Sequence, residues 1–381
     1  MLKTTGARLF ATFLGYITLI IVLLTLNPFY LAWPNQVSFR FESSLNNLVS
    51  NIVLFLPVGF LYKLSTGRRG ALLLGAGMSL GIETLQLFIP ARTASIVDIM
   101  ANALGAGIGA VAYDLISNRI TVSQGMLNRL RLETPLMGAA YLLVPLLWIN
   151  TLALNEAPYH WILTGLIGLC GAILFGELFR HWRAGTDFKT YLFATLASGA
   201  WFLVGAGTTL LRSAFIAAIW IEVMVLTGIL AALPLSFKDR RFERNTLKYL
   251  IPVFVVYLGL LALWFPFELF GDWHFIFGFT ERAEDTSLQF LYPRVEFMAA
   301  FTVLGYLTAE WRGRLELTLV QDLPRLFVIA ATAALLLEFF SGFQAARGAS
   351  LVRWVLAVTS ALFGGSIYYR FRAHIRFLLG R

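Results

Sequence analysis

The sequence predicts an all-α, polytopic integral membrane protein, a helical bundle with about twelve transmembrane helices. Of its 381 residues, 58% are hydrophobic and only 13% are charged, whereas soluble domains carry roughly 25% charged residues. Apolar runs of about twenty residues, the length that crosses a bilayer as a helix, recur from end to end. A transmembrane β-barrel would show segments of about ten residues with alternating polarity, so this class is excluded.

The predicted spans follow one another with short connections. They cover residues 9–26, 45–63, 70–89, 96–116, 136–154, 161–179, 188–211, 214–235, 248–267, 294–311, 323–343 and 349–369. The first run follows Lys3 and Arg8 and lacks a clear small-residue cleavage site. We therefore expect it to be a retained helix rather than a cleaved signal peptide.

The basic residues predict the orientation. The N-terminus, the even-numbered loops and the C-terminus carry most of the 30 Lys and Arg residues. Because basic residues accumulate in cytoplasmic loops, both termini are predicted to be cytoplasmic. The same bias accounts for the net charge of +9 without a nucleic-acid partner.

Neither a metal nor a cofactor site is predicted. The single cysteine, Cys170, cannot form an intrachain disulfide. The four histidines are far apart and lack the spacing of metal ligands, and no glycine loop for phosphate precedes a lysine; they are His160, His181, His274 and His374. Glu222 is an isolated carboxylate in an apolar span, either functional or simply buried.

Two loops on the predicted outer side are rich in Phe, Trp and Tyr. They cover residues 28–44 and 267–293. Aromatic side chains favour the headgroup level of a bilayer, so these loops are expected to lie along the outer surface, or else to be ordinary packed connections.

The chain also repeats itself. Glu83 and Arg92 recur with the same spacing as Glu338 and Arg347, and Ala-Ser-Ile-Val at 94–97 recurs as Ala-Ser-Leu-Val at 349–352. Equivalent elements keep their order and direction, so the pattern predicts a parallel repeat of four helices. We divide the chain into an N-terminal unit, a middle block without a recognisable third copy, and a degenerate C-terminal copy: 1–117, 118–245 and 246–381.

Six polar side chains in the first copy form the predicted binding site. Residues three or four apart share a helix face, and similar depths in neighbouring spans bring these faces together. We predict a pocket that opens outwards, formed by Asn51, Glu83, Gln86, Arg92, Asp98 and Asn102.

Each of these residues also has a structural interpretation. Ser95 and Asp98 resemble a capping box at the start of the fourth span. Arg92 could pair with Glu83 or with headgroup phosphate, and the asparagines could join helices by hydrogen bonds. Glu83 is the hardest to explain structurally, because an intramembrane carboxylate needs a partner or a proton.

If the chain has a single site, comparison with the second copy indicates that it lies in the N-terminal half. The second copy keeps the Glu and Arg pair, which suggests an architectural role for that pair. It lacks the rest, since Ser341, Arg353 and Ala357 stand where the first copy has Gln86, Asp98 and Asn102.

These residues resemble the VanZ-like family of bacterial membrane proteins. The resemblance covers roughly residues 10–117 and includes every polar position of the motif, from Asn51 through Glu83-x-x-Gln86 to Arg92-x5-Asp98-x3-Asn102. It implies a bacterial plasma membrane protein linked to the cell envelope. The family's namesake is associated with low-level resistance to teicoplanin, a lipoglycopeptide that acts outside the plasma membrane.

Three functions are compatible with the sequence. The first is a non-enzymatic protein that binds or moves an amphiphile: a membrane lipid, a lipid-linked glycan or a lipoglycopeptide. The second is a membrane enzyme with Glu83 as acid or base, although no nucleophile or metal set accompanies it. The third is a proton-coupled transporter, although the polar set lies away from the midplane.

Overall fold

The chain folds into twelve α-helices over the residues that the structure, a computed structural model, describes. These are residues 5–26, 32–33, 41, 44–66, 70–90, 92–117, 124–153, 160–182, 188–210, 213–233, 242–263, 271–279, 288–313, 317–344 and 347–378. The helices are α1 Thr5–Leu26, α2 Leu45–Thr66, α3 Ala71–Gln86, α4 Ile96–Ser117, α5 Gln124–Ala153, α6 His160–Trp182, α7 Phe188–Leu210, α8 Ala214–Ala232, α9 Phe242–Leu263, α10 Leu288–Gly313, α11 Leu319–Ser341 and α12 Leu351–Leu378.

The predicted class is confirmed, and each predicted span corresponds to one of these helices. Within the described residues, eight helices are long and apolar enough to cross a membrane, namely α1, α2, α4, α6, α8, α9, α11 and α12. The helix α3 has 16 residues and is about 24 Å long at 1.5 Å per residue. It ends at Gln86 rather than at the predicted residue 89, so the chain turns back towards α4 below the level expected from the sequence.

The helices pack as three successive quartets with one pattern. In each quartet the second and fourth helices make the most extensive contact, the third helix packs on the fourth, and the first packs on the second. The outer quartets, α1–α4 and α9–α12, are the two predicted copies. The middle quartet, α5–α8, follows the same pattern although its sequence gives no sign of a third copy.

Glycines allow the second and fourth helices of the outer quartets to approach closely. A Cβ atom at Gly59 or Gly109 would overlap a backbone carbonyl on the facing helix, that of Ala106 or Leu56. In the C-terminal quartet a Cβ at Gly305 would overlap the carbonyl of Ala361 in the same way. Small residues at a helix interface allow this close approach of two backbones.

The helix α1 joins the two outer quartets. It packs on α2 and α3 of its own quartet and on α12 and α10 of the other. Tyr16 in α1 and Thr302 in α10 are joined by a hydrogen bond of 2.7 Å between their hydroxyls. The largest apolar core runs through α5 to α12, so the middle block and the C-terminal quartet share one core.

A two-residue strand pair was not predicted. Strand β1, Phe275–Ile276, pairs in parallel with β2, Ala349–Ser350, immediately before α12. It fixes part of the aromatic loop 267–293 against the start of α12. Most of the loop 28–44, and residues 264–270 and 280–287, lie outside the described residues.

We expect Gly59→Ala to destabilise the protein, because the added methyl group must displace the backbone of α4. Overpacking of this kind costs about 1–3 kcal/mol. The control is Gly77→Ala, since a Cβ at Gly77 has no neighbour within 4 Å. Thermal unfolding of the detergent-purified variants measures the difference, and equal midpoints would contradict the close packing of α2 and α4.

Candidate functional site

Glu83 links the end of α3 to the start of α4. It lies in the last turn of α3 and is 3% exposed. Its Oε2 atom accepts a hydrogen bond of 2.7 Å from the backbone N–H of Ser95, and the Ser95 hydroxyl accepts one of 3.3 Å from the N–H of Asp98. The first N–H groups of a helix lack partners within the helix. The N-terminus of α4 is thus capped by Ser95, as predicted, and also by a carboxylate from the preceding helix.

Gln86 and Arg92 cap the C-terminal end of α1. Gln86 Nε2 donates to the carbonyl of Thr25 at 3.0 Å, and an Arg92 Nη2 donates to that of Leu24 at 3.4 Å. Both carbonyls belong to the last turn of α1, where they lack intrahelical partners. Burial lowers the pKa of the Arg92 guanidinium, because the loop holds it partly away from water.

The two asparagines of the predicted site leave buried atoms unsatisfied. Asn102 is 3% exposed, and its Nδ2 donates to the hydroxyl of Ser79 at 2.8 Å. Its Oδ1 atom and the Nδ2 atom of Asn51 are buried and have no hydrogen-bond partner among the described residues. Leaving a buried polar group unsatisfied costs about 1–3 kcal/mol.

Asp98 lies at the rim of this region and contacts α2. Asn47 Nδ2 donates to its two carboxylate oxygens at 3.2 and 3.3 Å, and Asn47 is exposed. The sequence places Asn47 on the same helix face as Asn51, but we did not include it in the predicted site. The spacing of four residues between Asn47 and Asn51 is the feature of the sequence that could have added Asn47 to the site.

The C-terminal quartet repeats the capping contacts. Glu338 Oε2 accepts the N–H of Ser350 at 2.8 Å. An Arg347 Nη1 donates to the carbonyl of Leu261 at 3.2 Å, and the Ser341 hydroxyl to that of Ala262 at 3.4 Å. Glu83, Gln86 and Arg92 therefore have counterparts that hold the same helix ends.

The two quartets differ in charge at the next turn. Arg353, which stands where the first copy has Asp98, forms a salt bridge of 2.7 Å with Glu338. Both side chains are buried, so the carboxylate of the C-terminal quartet is neutralised internally. The first copy instead has a second carboxylate at this position.

A polar network at the junction of the middle and C-terminal blocks was missed. Glu296 in α10 is 0% exposed. It accepts hydrogen bonds from Asn150 Nδ2 at 2.6 Å and from the Tyr257 hydroxyl at 2.9 Å, and His160 Nε2 lies 3.4 Å from its other oxygen. The feature of the sequence that could have indicated this network was a carboxylate, Glu296, inside the span predicted at 294–311. It could not be paired from the sequence, because its partners lie on three other helices.

The remaining candidates form no site. Among the described residues, no group of three His, Cys, Asp or Glu side chains could hold a metal ion. Cys170 is fully buried in the apolar core, and Glu222 is exposed on α8.

Glu83→Ala should destabilise the protein, because it leaves the buried N–H of Ser95 without an acceptor, at a cost of about 1–3 kcal/mol. Glu83→Gln is the matched control, since its amide oxygen can accept the same hydrogen bond. Thermal unfolding in detergent distinguishes the two variants. A Gln variant as unstable as the Ala variant would show that the charge, rather than the cap, stabilises this turn.

Arg353→Ala should cost more, about 3–5 kcal/mol, because it leaves the buried Glu338 carboxylate unpaired. The double variant Glu338→Gln and Arg353→Ala should recover part of this loss, since it removes the unpaired charge. A double-mutant cycle measured by thermal unfolding gives the coupling energy. Strictly additive effects would contradict the internal neutralisation of Glu338.

Comparison with known proteins agrees with the resemblance read from the motif. Residues 9–117 match the sequence model of the VanZ/LLP1 family. No curated protein and no solved structure matches the chain significantly. The match covers the N-terminal quartet, and the duplication in residues 246–381 stays a prediction. The quartet α1–α4 is therefore similar in sequence to the VanZ/LLP1 family.

Proposed function

We propose that the VanZ-like domain binds the polar head of an amphiphilic cell-envelope molecule between α2, α3 and α4. The observation that carries the proposal is the pair of unsatisfied buried atoms, Asn51 Nδ2 and Asn102 Oδ1. One is a donor and the other an acceptor, so a hydroxyl or amide of a ligand can satisfy both kinds of group.

The fold itself does not require these amides. The C-terminal quartet has the same close packing of its second and fourth helices, but it has Phe297 and Ala357 at the corresponding positions. The contacts that both quartets share hold helix ends together, whereas the two asparagines and Asp98 occur in the first quartet alone. We assign ligand binding to these three residues, which the C-terminal quartet lacks.

The charge of the set favours a headgroup with several hydrogen-bond donors. Asp98 is acidic, and Asn47 adds an exposed amide beside it. The scaffold carboxylate of Glu83 is near enough to interact with Asp98 electrostatically. Carboxylates accept hydrogen bonds from ammonium and hydroxyl groups. Sugar hydroxyls and amines of a lipid-linked glycan or a lipoglycopeptide such as teicoplanin provide such donors.

The surface beside the site suits the apolar part of an amphiphile. Exposed apolar side chains on α4 follow helical spacing and continue from the level of Asp98 towards the other end of the helix. They are Met100, Leu104, Ile108, Val111 and Leu115. With both termini in the cytoplasm of a bacterium, as the basic residues predict, the head-binding end of this surface faces outwards.

The proposal predicts that Asn51→Leu reduces ligand binding without reducing stability. It predicts that Asn102→Ala also reduces binding, with some loss of stability because the hydrogen bond to the Ser79 hydroxyl is removed. Replacing an unsatisfied buried amide with an apolar side chain is nearly neutral or stabilising, whereas a binding group is lost. We would measure retention of envelope lipids by the chain in nanodiscs by mass spectrometry, and teicoplanin binding by calorimetry, together with thermal unfolding.

Ser360→Ala is the matched control. Ser360 Oγ is also buried without a partner among the described residues, but it lies in α12 of the C-terminal quartet. It should leave retention and teicoplanin binding unchanged. Asparagine variants that retain and bind every tested amphiphile as the native chain does would overturn the proposal.

A further inference from the structure

A cavity lies at the opposite end of the bundle from the proposed headgroup site. Its volume is about 660 Å³, within the range of about 300–1,000 Å³ that is typical of small-molecule sites. The first turn of α1, the start of α11 and the last turns of α12 surround it. Four arginines line it: Arg8, Arg370, Arg372 and Arg376.

Three of these arginines, Arg370, Arg372 and Arg376, have no carboxylate partner among the described residues of the lining. Among the described residues, the lining contains no carboxylate. An Arg370 Nη1 donates to the carbonyl of Arg8 at 2.6 Å, and Arg372 Nη1 donates to the carbonyl of Gly313. Backbone carbonyls orient these guanidinium groups without neutralising them. The Nε atom of Arg370 is buried and has no partner among the described residues.

Asp322, which is hydrogen-bonded to Tyr369 of the lining, already has partners within the fold. Its Oδ1 accepts a hydrogen bond of 2.8 Å from Arg312 Nε and forms a salt bridge with Arg312 Nη2 at 2.7 Å. Its Oδ2 accepts the Tyr369 hydroxyl at 2.8 Å. Because both oxygens are used within the fold, this carboxylate does not pair with Arg370, Arg372 or Arg376.

The start of α11 adds positive potential. The helix has 23 residues and begins at Leu319 after the N-cap Thr318, and both residues line the cavity. The N-terminus of a helix carries a partial positive charge, which favours anions. Guanidinium groups and a helix N-terminus are the groups that recognise phosphate.

We propose that this cavity binds a phosphate group. The end of the bundle that contains it is predicted to be cytoplasmic, where anionic phospholipids attract basic side chains. Leu317, Leu319 and Val320 add apolar lining. The phosphate belongs either to a lipid headgroup or to a soluble phosphorylated compound, and the two sources share the same recognition.

The test uses the full chain, purified in detergent and stripped of lipid. The probes are dihexanoyl phosphatidylglycerol, dihexanoyl phosphatidylcholine and inorganic pyrophosphate, and native mass spectrometry gives the dissociation constants. The native chain should bind the phosphatidylglycerol or the pyrophosphate at least about tenfold more tightly than the phosphatidylcholine. Each basic residue near an anionic headgroup contributes about fivefold, so Arg370→Gln with Arg376→Gln should weaken binding roughly 25-fold.

Arg325→Gln is the control, because Arg325 is an exposed arginine near the start of α11 that does not line the cavity. It should leave binding within about twofold. Arg376→Gln alone, at an exposed position, should give about a fivefold loss and covers the case in which the double variant does not fold.

Preference for the phospholipid identifies a headgroup, and pyrophosphate that displaces it identifies a soluble ligand. Equal losses in the cavity and control variants, or none in either, would overturn the proposal.

Discussion

Helix ends that lie within an apolar environment must have their backbone groups satisfied by the protein itself, since no water is available there. The helix α3 ends at Gln86, and the turn to α4 leaves Glu83, Gln86 and Ser95 in buried positions. Glu83 satisfies the N-terminus of α4, and Gln86 and Arg92 satisfy the C-terminus of α1. Three helices are thereby fixed relative to one another by side chains from one short segment.

This constraint separates architecture from function in the polar motif. The capping contacts of Glu83 and Arg92 recur at Glu338 and Arg347, so we regard them as scaffold. Asn51 and Asn102 have buried atoms that the scaffold does not use, and their counterparts are Phe297 and Ala357. At these two positions the cost of unsatisfied polar atoms therefore falls on the first copy alone. Binding explains such a cost.

The sequence predicted the helices well because apolar length is a strong signal in a membrane. It predicted the end of α3 poorly. Leu87, Phe88 and Ile89 form the turn after α3 and are as apolar as the helix itself, so hydropathy could not separate them. The two-residue strand pair before α12 is too short to give a period of two, which is the pattern that identifies strands.

The polar side chains were predicted from the sequence, but their contacts were not: Arg92, for example, contacts the C-terminus of α1. Depth along the helices predicted Glu83 and Asp98 as neighbours, and Asp98 does act electrostatically on Glu83. It could not show that Glu83 bonds a backbone N–H and Arg92 a backbone carbonyl, because these partners depend on the path of the turn rather than on helix periodicity. Asn47 was missed at the rim for the same reason, since its contact with Asp98 depends on the register between α2 and α4.

An arginine lies at each end of α1, and the two differ in how they interact with the helix dipole and with the neighbouring groups. At the C-terminus, Arg92 meets carbonyls that carry partial negative charge, a favourable pairing. At the N-terminus, Arg8 lies where the dipole disfavours a cation, and Arg370, Arg372 and Arg376 add three more around one cavity. No carboxylate of the described lining offsets the charge of Arg370, Arg372 and Arg376. An anion from outside the fold would therefore stabilise the arrangement, whereas the guanidinium of Arg92 is already satisfied by the C-terminus of α1.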